Sequence, residues 1–246
     1  MRGIEEDKII KMHILYDGVA FQEGMQGGGV HRYAQNLISG IAVMPDTEVS
    51  LYCPFRKWTE TQKPRIRCVK EYRLRENHRF CEYAKRANYV IERLEGVLLP
   101  LRTPAPDIFH LTYYRMPCRF GIIVVTLYDM LMERFPDFFQ GSYCDNVRRQ
   151  KRKCLESAAH VICISQNTRR DVTEMFGIPP ERTSVIYLGA DIVTEPQNTR
   201  LPEKPYFLYV GARWPHKNFT GLLQAFGSCK HKKDITLFVV SNLAEW

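Results

Sequence analysis

Two predicted strands end in polar side chains that could act on a substrate. Residues 107–111 run into Thr112, and residues 122–127 run into Tyr128 and Asp129. In an open parallel sheet, ligands bind outside the carboxyl ends of the strands, so we expect these three side chains to border a cleft. A carboxylate in such a place can accept a proton or bind a hydroxyl group, and Asp129 is therefore a candidate catalytic residue.

Both Asp129 and the nearby His110 have a second interpretation. His110 lies near the end of its predicted strand, where it could act in catalysis or could equally be a hydrogen-bonded histidine of the core. Asp129 could bind a substrate or could only cap the turn that follows it. The sequence leaves these alternatives open.

A glycine-rich loop joins the first predicted strand to the first predicted helix. Residues 24–29 match neither the G-x-G-x-x-G pattern of dinucleotide-binding loops, because no glycine follows Gly29 with the right spacing, nor the Walker A pattern, because no Lys-Ser or Lys-Thr pair ends the loop. Glycines still let the backbone approach a ligand closely, and the amino terminus of a helix attracts anions. The loop therefore either contacts a ligand or serves only as a turn.

Strand and helix signals alternate along the chain, as they do in α/β proteins. Residues 122–125 and 161–164 are continuous apolar runs, which are typical of strands buried on both faces of a parallel sheet. We therefore expect an α/β fold with a doubly wound, Rossmann-like parallel sheet. The predicted strands cover residues 9–16, 48–53, 66–70, 107–111, 122–127, 160–164 and 183–187, and the predicted helices residues 30–41, 76–99, 143–157 and 166–176.

The domain organisation follows from where this pattern stops and restarts. Residues 1–190 are predicted to form the first domain, and residues 191–205, rich in Asp, Thr, Pro, Asn and Glu, a linker. A strand, a helix and a strand, predicted at residues 206–211, 218–229 and 235–240, then begin a second domain over residues 206–246. About 40 residues cannot close a domain of ordinary size, so we expect the second domain to be truncated.

The chain is basic, with a formal net charge of +8. Most of the excess lies in residues 56–93, and a second basic cluster occupies residues 148–153. Such surfaces suit nucleic acid, anionic lipid headgroups or phosphorylated substrates, and composition does not choose among them.

Composition and patterning exclude several classes of protein. No apolar run reaches the roughly 18 residues of a membrane-spanning helix. The eight cysteines contain no C-x-x-C pair, so the sequence lacks the usual zinc and redox motifs. The first ten residues lack the apolar core of a secretion signal, and we therefore expect a cytoplasmic protein.

Several short motifs, in their order and spacing, resemble those of the family 4 glycosyltransferases. They are Gly27-Gly28-Gly29-Val30 with Tyr33, Asp107-Ile108-Phe109-His110, residues 125–130 followed by Phe135-Pro136, residues 161–165 and residues 185–191. Residues 209–218 resemble the start of the second domain in that family. The nearest subgroup is that of bacterial mannosyltransferases of polysaccharide or O-antigen assembly.

This resemblance implies a GT-B fold with two Rossmann-like domains. It also implies transfer of a hexose, such as mannose, from a nucleotide sugar to a saccharide or lipid-linked acceptor, with retention of configuration and without a metal or cofactor. A basic pair, Arg213 and Lys217, would stabilise the negative charge of the leaving diphosphate. The other implied site residues are Gly27, Gly28 and Gly29 for the donor, His110 and Asp129 for catalysis, and Thr112, Tyr128 and Glu133 on the acceptor side.

The chain departs from the family pattern at several positions. Thr112 and Tyr128 stand where many relatives carry histidine, so a histidine base is unsupported, although the departing phosphate can itself take the acceptor proton. Ala212 stands where the family arginine commonly follows the glycine, so Arg213 is a displaced match. The family's paired glutamates, eight residues apart late in the second domain, are absent, and we expect this polypeptide alone to be inactive.

The resemblance also suggests a role for the basic surface. In this family the first domain receives the acceptor, often a lipid-linked phosphate at the inner membrane face, where each basic residue adds roughly 1 kcal/mol of attraction to anionic lipid. Glutamates interleave with the basic residues, so a solvated helix face is the alternative. Two other functions stay open: another GT-B enzyme, such as a sugar-nucleotide epimerase, and a Rossmann-like domain that binds polyanions. Nucleic acid itself is disfavoured, because no helix-turn-helix pattern or aromatic-interleaved basic strand appears.

Overall fold

The computed structural model describes residues 11–21, 25, 28–53, 66–70, 90, 94, 97, 99–101, 103–115, 120–190 and 202–241. The chain divides into two compact units. The first comprises Met1–Arg134 and Gln140–Leu188, and the second Phe135–Phe139 and Gly189–Trp246. Nothing in the sequence pattern indicated that the short segment Phe135–Phe139 would group with the second unit.

Within the described residues of the first unit, seven strands form one parallel sheet. The strands are β1 (Met12–Asp17), β2 (Thr47–Cys53), β3 (Ile66–Lys70), β4 (Ile108–Leu111), β5 (Ile122–Leu127), β6 (His160–Cys163) and β7 (Thr183–Val185). Their order is β3-β2-β1-β4-β5-β6-β7. The α/β class with a parallel sheet, predicted from the sequence, is confirmed.

Four α-helices of the first unit lie wholly within the described residues. They are α1 (Gly29–Ile41), α2 (Leu131–Arg134), α3 (Ser142–Ser157) and α4 (Gln166–Phe176). The Ser165 side chain caps α4 by accepting a hydrogen bond from Thr168 N, and Gly177 ends the helix with a φ of 64°. Residues 90, 94, 97 and 99–101 are helical, whereas most of the predicted basic helix, residues 76–99, lies outside the described residues.

None of the helices in the described ranges combines the length and the apolar character needed to cross a bilayer.

Two apolar clusters bury the sheet on both faces. Along β1, Leu15 belongs to one cluster and Ile14 and Tyr16 belong to the other, because successive side chains of a strand point to opposite faces. Leu155 of α3 packs in the first cluster and Ile38 of α1 in the second. The helices therefore cover both faces and leave the carboxyl edge of the sheet to its loops.

Several strand bounds differ from the expectation, as at the ends of β1 and β7. β1 extends to Asp17 because this residue still pairs with Tyr52 of β2. β7 ends at Val185 rather than at Tyr187, whose side chain is 68% exposed. Residues 9 and 10 of the expected first strand lie outside the described residues.

The second unit contains one βαβ element. β8 (Tyr206–Val210) and β9 (Thr236–Val240) pair in parallel, and α5 (Phe219–Gly227) connects them. Apolar side chains of both strands are exposed, including Phe207 at 56% and Val240 at 57%. The strand, helix and strand predicted here are confirmed, although each is one to three residues shorter than expected.

Candidate active site at the carboxyl edge of the first sheet

The strand order brings the predicted site residues of the first unit to one edge of the sheet. β4 lies between β1 and β5, and all three run in the same direction. Their carboxyl ends therefore place Asp17, Thr112 and Asp129 at the same edge. The order of strands reverses between β1 and β4, and in such sheets this is where ligands bind.

Thr112 is tied to a buried carboxylate rather than directed toward solvent. Its hydroxyl donates to Asp17 Oδ1 at 2.8 Å, and its backbone N–H donates to the same oxygen. Asp17 is 1% exposed, and its Oδ2 has no hydrogen-bond partner within the described ranges. Burial raises the pKa of Asp17 to about 7, although the bonds from Thr112 act to lower it. The Asp17 carboxyl group therefore titrates near neutral pH.

His110 belongs to a hydrogen-bonded network inside the sheet. Its Nε2 lies 2.8 Å from Thr126 Oγ1, which lies 3.1 Å from the hydroxyl of Tyr33. Burial lowers the pKa of His110 to about 4, so the ring is neutral at pH 7. This is the geometry of the hydrogen-bonded core histidine that the sequence left open, and a catalytic role for His110 stays a prediction.

Tyr128 is half-buried and its polar groups bind neighbouring elements. Its hydroxyl donates to Thr112 O at 2.9 Å, and its ring stands perpendicular to that of Tyr33 with 5.7 Å between centroids. Burial raises the pKa of the Tyr128 phenol far above physiological pH, so it stays protonated. In its predicted acceptor-side role, Tyr128 would therefore offer a neutral hydroxyl group and an aromatic ring.

Asp129 is the exposed carboxylate of this edge. Its Oδ1 accepts a hydrogen bond from Leu131 N at 3.1 Å, so Asp129 does cap the turn into α2. A carboxylate has two oxygens and about four acceptor positions, so one capping bond leaves it able to bind a substrate hydroxyl. The two interpretations of Asp129 are therefore compatible, and its catalytic role stays a prediction.

Glu133 has a partner within the first unit. Its side chain is 9% exposed, and Oε2 lies 2.8 Å from Nζ of Lys151, which is 1% exposed. The Lys151 ammonium also lies 4.9 Å from the centroid of the Tyr114 ring. An acceptor would compete with this ion pair for Glu133, and the acceptor-side assignment of Glu133 stays a prediction.

The glycine-rich loop leads into α1 without a side-chain cap. Gly28 is the N-cap residue, with extended backbone, and as a glycine it has no side chain to cap the first turn of Gly29–Ile41. A Cβ atom at Gly28 would come within 3.2 Å of Met25 O, so this position favours glycine. The first-turn N–H groups of a helix can bind an anion, and the donor-binding role of this loop stays a prediction. Gly27 lies outside the described residues.

In the second unit, Arg213 and Lys217 lie on the segment that joins β8 to α5. Lys217 is exposed at the end of the short 3-10 helix Pro215–Lys217, next to Asn218, whose φ is 51°. The half-buried Arg213 guanidinium lies 5.9 Å from the centroid of the Phe219 ring. The two cations are thus placed just before the amino terminus of α5, where helix dipole and side chains favour the same negative ligand.

A sequence model of the family described as Glycosyltransferase Family 4 matches residues 27–193, which is more than half of the chain. The chain belongs to glycosyltransferase family 4. The match includes the glycine-rich loop from Gly27 onward and the sheet edge that carries His110, Thr112, Tyr128 and Asp129.

Two curated proteins resemble this family 4 chain. The O-antigen chain mannosyltransferase B of Escherichia coli is 23% identical over 214 residues, which is 80% of this chain and 56% of that protein. The O-antigen chain mannosyltransferase RfbU of Salmonella typhimurium is 29% identical over 102 residues, which is 41% of this chain and 27% of that protein. The chain thus spans about half the length, or less, of these relatives.

Solved structures with low sequence identity share the fold. WaaG, a glycosyltransferase involved in lipopolysaccharide biosynthesis, matches with a TM-score of 0.57 at 16% identity, over 95% of this chain and 64% of that one. The apo form of WaaB, a lipopolysaccharide outer core galactosyltransferase, matches with a TM-score of 0.50 at 14% identity, over 95% of this chain and 61% of that one. The neighbours are GT-B glycosyltransferases, and the family 4 chain has this fold.

The sequence patterns had not pointed to two residues near the candidate site, Asp17 and Lys151. Asp17 directly follows the apolar run of the first strand, so the rule that selected Thr112 and Asp129 would also have selected it. Lys151 was counted with a basic cluster, but it lies four residues from both Val147 and Leu155, which are buried. That helical spacing was the signal for a buried lysine.

Metal ligation has no candidate in the described part of this family 4 chain. No three His, Cys, Asp or Glu side chains lie close enough there to share an ion.

Proposed function

We propose that this family 4 chain is the acceptor-side domain, with the beginning of the donor-side domain, of a retaining glycosyltransferase. It would transfer a hexose, mannose in the first instance, from a nucleotide sugar to a saccharide or lipid-linked acceptor during assembly of a cell-surface polysaccharide. Family membership supports the reaction class, and the names of the two O-antigen mannosyltransferase relatives support the sugar and the pathway.

The observation that carries the proposal is the exposed carboxylate of Asp129 at the carboxyl edge of the sheet. Its backbone is held by neighbouring side chains, and one carboxylate oxygen is used by the cap of α2. In the proposed reaction this carboxylate accepts a hydrogen bond from a sugar hydroxyl and so orients the sugar. Thr112 and Tyr128 shape the same edge from β4 and β5.

The bond changes of the proposed reaction need no protein base. The bond between the anomeric carbon and the diphosphate oxygen breaks, and a bond to the acceptor oxygen forms on the same face of the sugar. The acceptor proton passes to the departing phosphate. Lys217 and Arg213 stabilise the negative charge that gathers on the diphosphate, so the proposal includes neither a metal nor a cofactor.

We place the protein in the cytoplasm, with peripheral contact to the inner membrane face. Of the two basic regions, residues 56–93 lie mostly outside the described residues. The cluster at 148–153 is divided: Lys151 is buried, Arg148 pairs with Asp145 at 2.9 Å and Arg152 with Glu156 at 3.9 Å, whereas Arg149 and Lys153 are exposed. Membrane attraction in this proposal therefore comes from only part of that cluster.

Donor binding tests the proposal directly. The full-length gene product is titrated with GDP-mannose, UDP-glucose and UDP-galactose by calorimetry. We expect saturable binding of one nucleotide sugar, weakened on the order of tenfold or more by Lys217→Ala because a charge-assisted contact is lost. Lys230→Ala, at another exposed lysine of the second unit, is the matched control.

Two results would contradict the proposal. One is the absence of binding to every sugar nucleotide together with no difference between wild type and Lys217→Ala. The other is binding of all three ligands with an affinity that falls steeply and equally with salt, which is the behaviour of a general polyanion binder.

A further inference from the structure

The backbone on either side of the Tyr128–Asp129 peptide is held by side chains from other parts of the first unit. Tyr128 N donates to the Tyr114 hydroxyl at 3.3 Å, and Tyr128 O accepts from Thr168 Oγ1 at 3.0 Å. Asp129 O accepts from Lys151 Nζ at 3.2 Å. Three of the four backbone polar groups of Tyr128 and Asp129 are therefore bound by side chains rather than by a strand or helix.

Lys151 contributes the buried charge to this arrangement. The lysine lies on the buried face of α3, its side chain is 1% exposed, and it reaches both ends of one short segment. At one end it donates to Asp129 O, and at the other it pairs with Glu133 Oε2 of α2 at 2.8 Å. The ring of Tyr114 lies on another side of the Lys151 ammonium, with its centroid 4.9 Å from Nζ.

These contacts give a role to a lysine at a site where burying a charge is costly. A buried ion pair seldom stabilises a protein more than apolar side chains of similar size would, so fold stability alone is a weak reason for Lys151. A phosphate ligand is also a poor explanation, because the ammonium is enclosed and its partners surround it. What Lys151 uniquely does is fix the carbonyl of Asp129 relative to α2.

We propose that Lys151 is the positioning residue for Asp129. By holding Asp129 O and Glu133 together, it sets the start of α2, where Asp129 Oδ1 binds Leu131 N. The direction of the carboxylate at the sheet edge follows from these contacts. The role in transfer rests on the proposed function, and the test below separates failure of one from failure of the other.

The kinetic test uses the full-length protein and removes the ion pair as a unit. Lys151→Met alone would leave Glu133 buried without its cation and could unfold the protein, so the variant is Lys151→Met/Glu133→Leu. We expect kcat to fall on the order of a hundredfold, because small displacements of an orienting group cost that much, while the donor KM changes little. Lys11→Met, at an exposed lysine of the first unit outside both basic regions, is the control and keeps wild-type kcat.

A double-mutant cycle with Asp129→Asn distinguishes positioning from general structural support. The asparagine keeps an oxygen that can cap Leu131 N but removes the charge. If Lys151 acts through Asp129, Lys151→Met/Glu133→Leu causes little further loss of kcat in the Asp129→Asn background. An equal fold-loss in both backgrounds would overturn the proposal.

Amide exchange gives a result that does not depend on activity. We expect the Leu131 amide to exchange on the order of tenfold faster in Lys151→Met/Glu133→Leu than in wild type, because its acceptor is no longer held. Unchanged exchange would overturn the positioning role. If the wild-type protein transfers no sugar from any nucleotide donor, the proposed function fails, and the exchange rates alone decide the role of Lys151.

Discussion

Burial shifts the pKa values of two residues near the sheet edge in opposite directions. It raises that of Asp17 to about 7 and lowers that of His110 to about 4. In the unfolded chain the corresponding values are roughly 3.9 and 6.5. Between about pH 4 and 6.5, the folded protein holds a proton on Asp17 that the unfolded chain has lost, whereas the unfolded chain holds one on His110 that the folded protein lacks. Their effects on stability therefore oppose each other.

Substituting each residue separates these two effects. The raised pKa of Asp17 makes wild type lose stability as pH rises, so the free energy of unfolding of Asp17→Asn, relative to wild type, should increase by roughly 1.4 kcal/mol per pH unit between about pH 4 and 7. For His110→Gln, the difference from wild type should decrease at a similar rate between about pH 4 and 6.5. Urea denaturation across this range measures both, and curves parallel to wild type would contradict the prediction.

The Lys151–Glu133 pair makes a separate prediction for stability. Lys151→Met should lower the free energy of unfolding by roughly 3 kcal/mol, because it leaves the Glu133 carboxylate buried and uncompensated. Adding Glu133→Leu should restore most of this loss. Denaturant melts of the single and double variants, with Lys153→Met as the control, provide the check. A double variant no more stable than the single one would show that the ion pair is not the cause.

At the scale of elements, the connection that enters β5 depends on a glycine. Gly121 has a φ of 72°, and a Cβ atom there would lie 2.5 Å from Pro106 O. Gly177, after α4, has a similar φ of 64° with nothing within 4 Å of its Cβ position. Gly121→Ala should therefore lower the free energy of unfolding by roughly 2–4 kcal/mol, against roughly 1 kcal/mol for Gly177→Ala, which tests the backbone conformation alone. Equal losses in denaturant melts would rule out the contact with Pro106.

The elements of the first sheet could be predicted because buried strands and capped helices have recognisable residue patterns. β5 and β6 are continuous apolar runs since both faces are covered, and α4 has a serine cap and a terminal glycine. The bond between Asp17 and Thr112 could not be predicted in the same way. It depends on β1 pairing with β4, 94 residues away by the Leu15–Phe109 register, and local patterns do not encode which strands become neighbours.

The sequence predicted where the candidate site residues lie better than it predicted the hydrogen bonds and ion pairs that they make. Strand ends pointed to Thr112, Tyr128 and Asp129, and all three do lie at the carboxyl edge. Their partners depend on tertiary contacts, which is why Thr112 proved to be held by Asp17. The charge of Lys151 suggested a surface position, whereas its helical spacing from Val147 and Leu155 indicated the buried face of α3, where the side chain does lie.

At the scale of the whole molecule, the two units differ in how well they bury their strands. The sheet of the first unit has seven strands with two apolar clusters, whereas β8 and β9 of the second unit expose much of their apolar surface. Two strands are marginal on their own. In this chain, amides of β8 and β9 should exchange at least about tenfold faster than those of β4 and β5 when followed by mass spectrometry. Similar protection in both sheets would contradict this expectation.

The place of β1 in the sheet also has a consequence in time. β1 can pair with β2 once residues 47–53 have been made. Its other neighbour, β4 (Ile108–Leu111), leaves the ribosome nearly a hundred residues after β1. At ordinary rates of translation that interval lasts roughly 5 to 20 seconds. We expect nascent chains arrested before β4 emerges to be digested readily by protease at β1, and longer ones to be protected. During those seconds β1, an interior strand of the finished sheet, is an open edge, available to chaperones and to other unfinished chains.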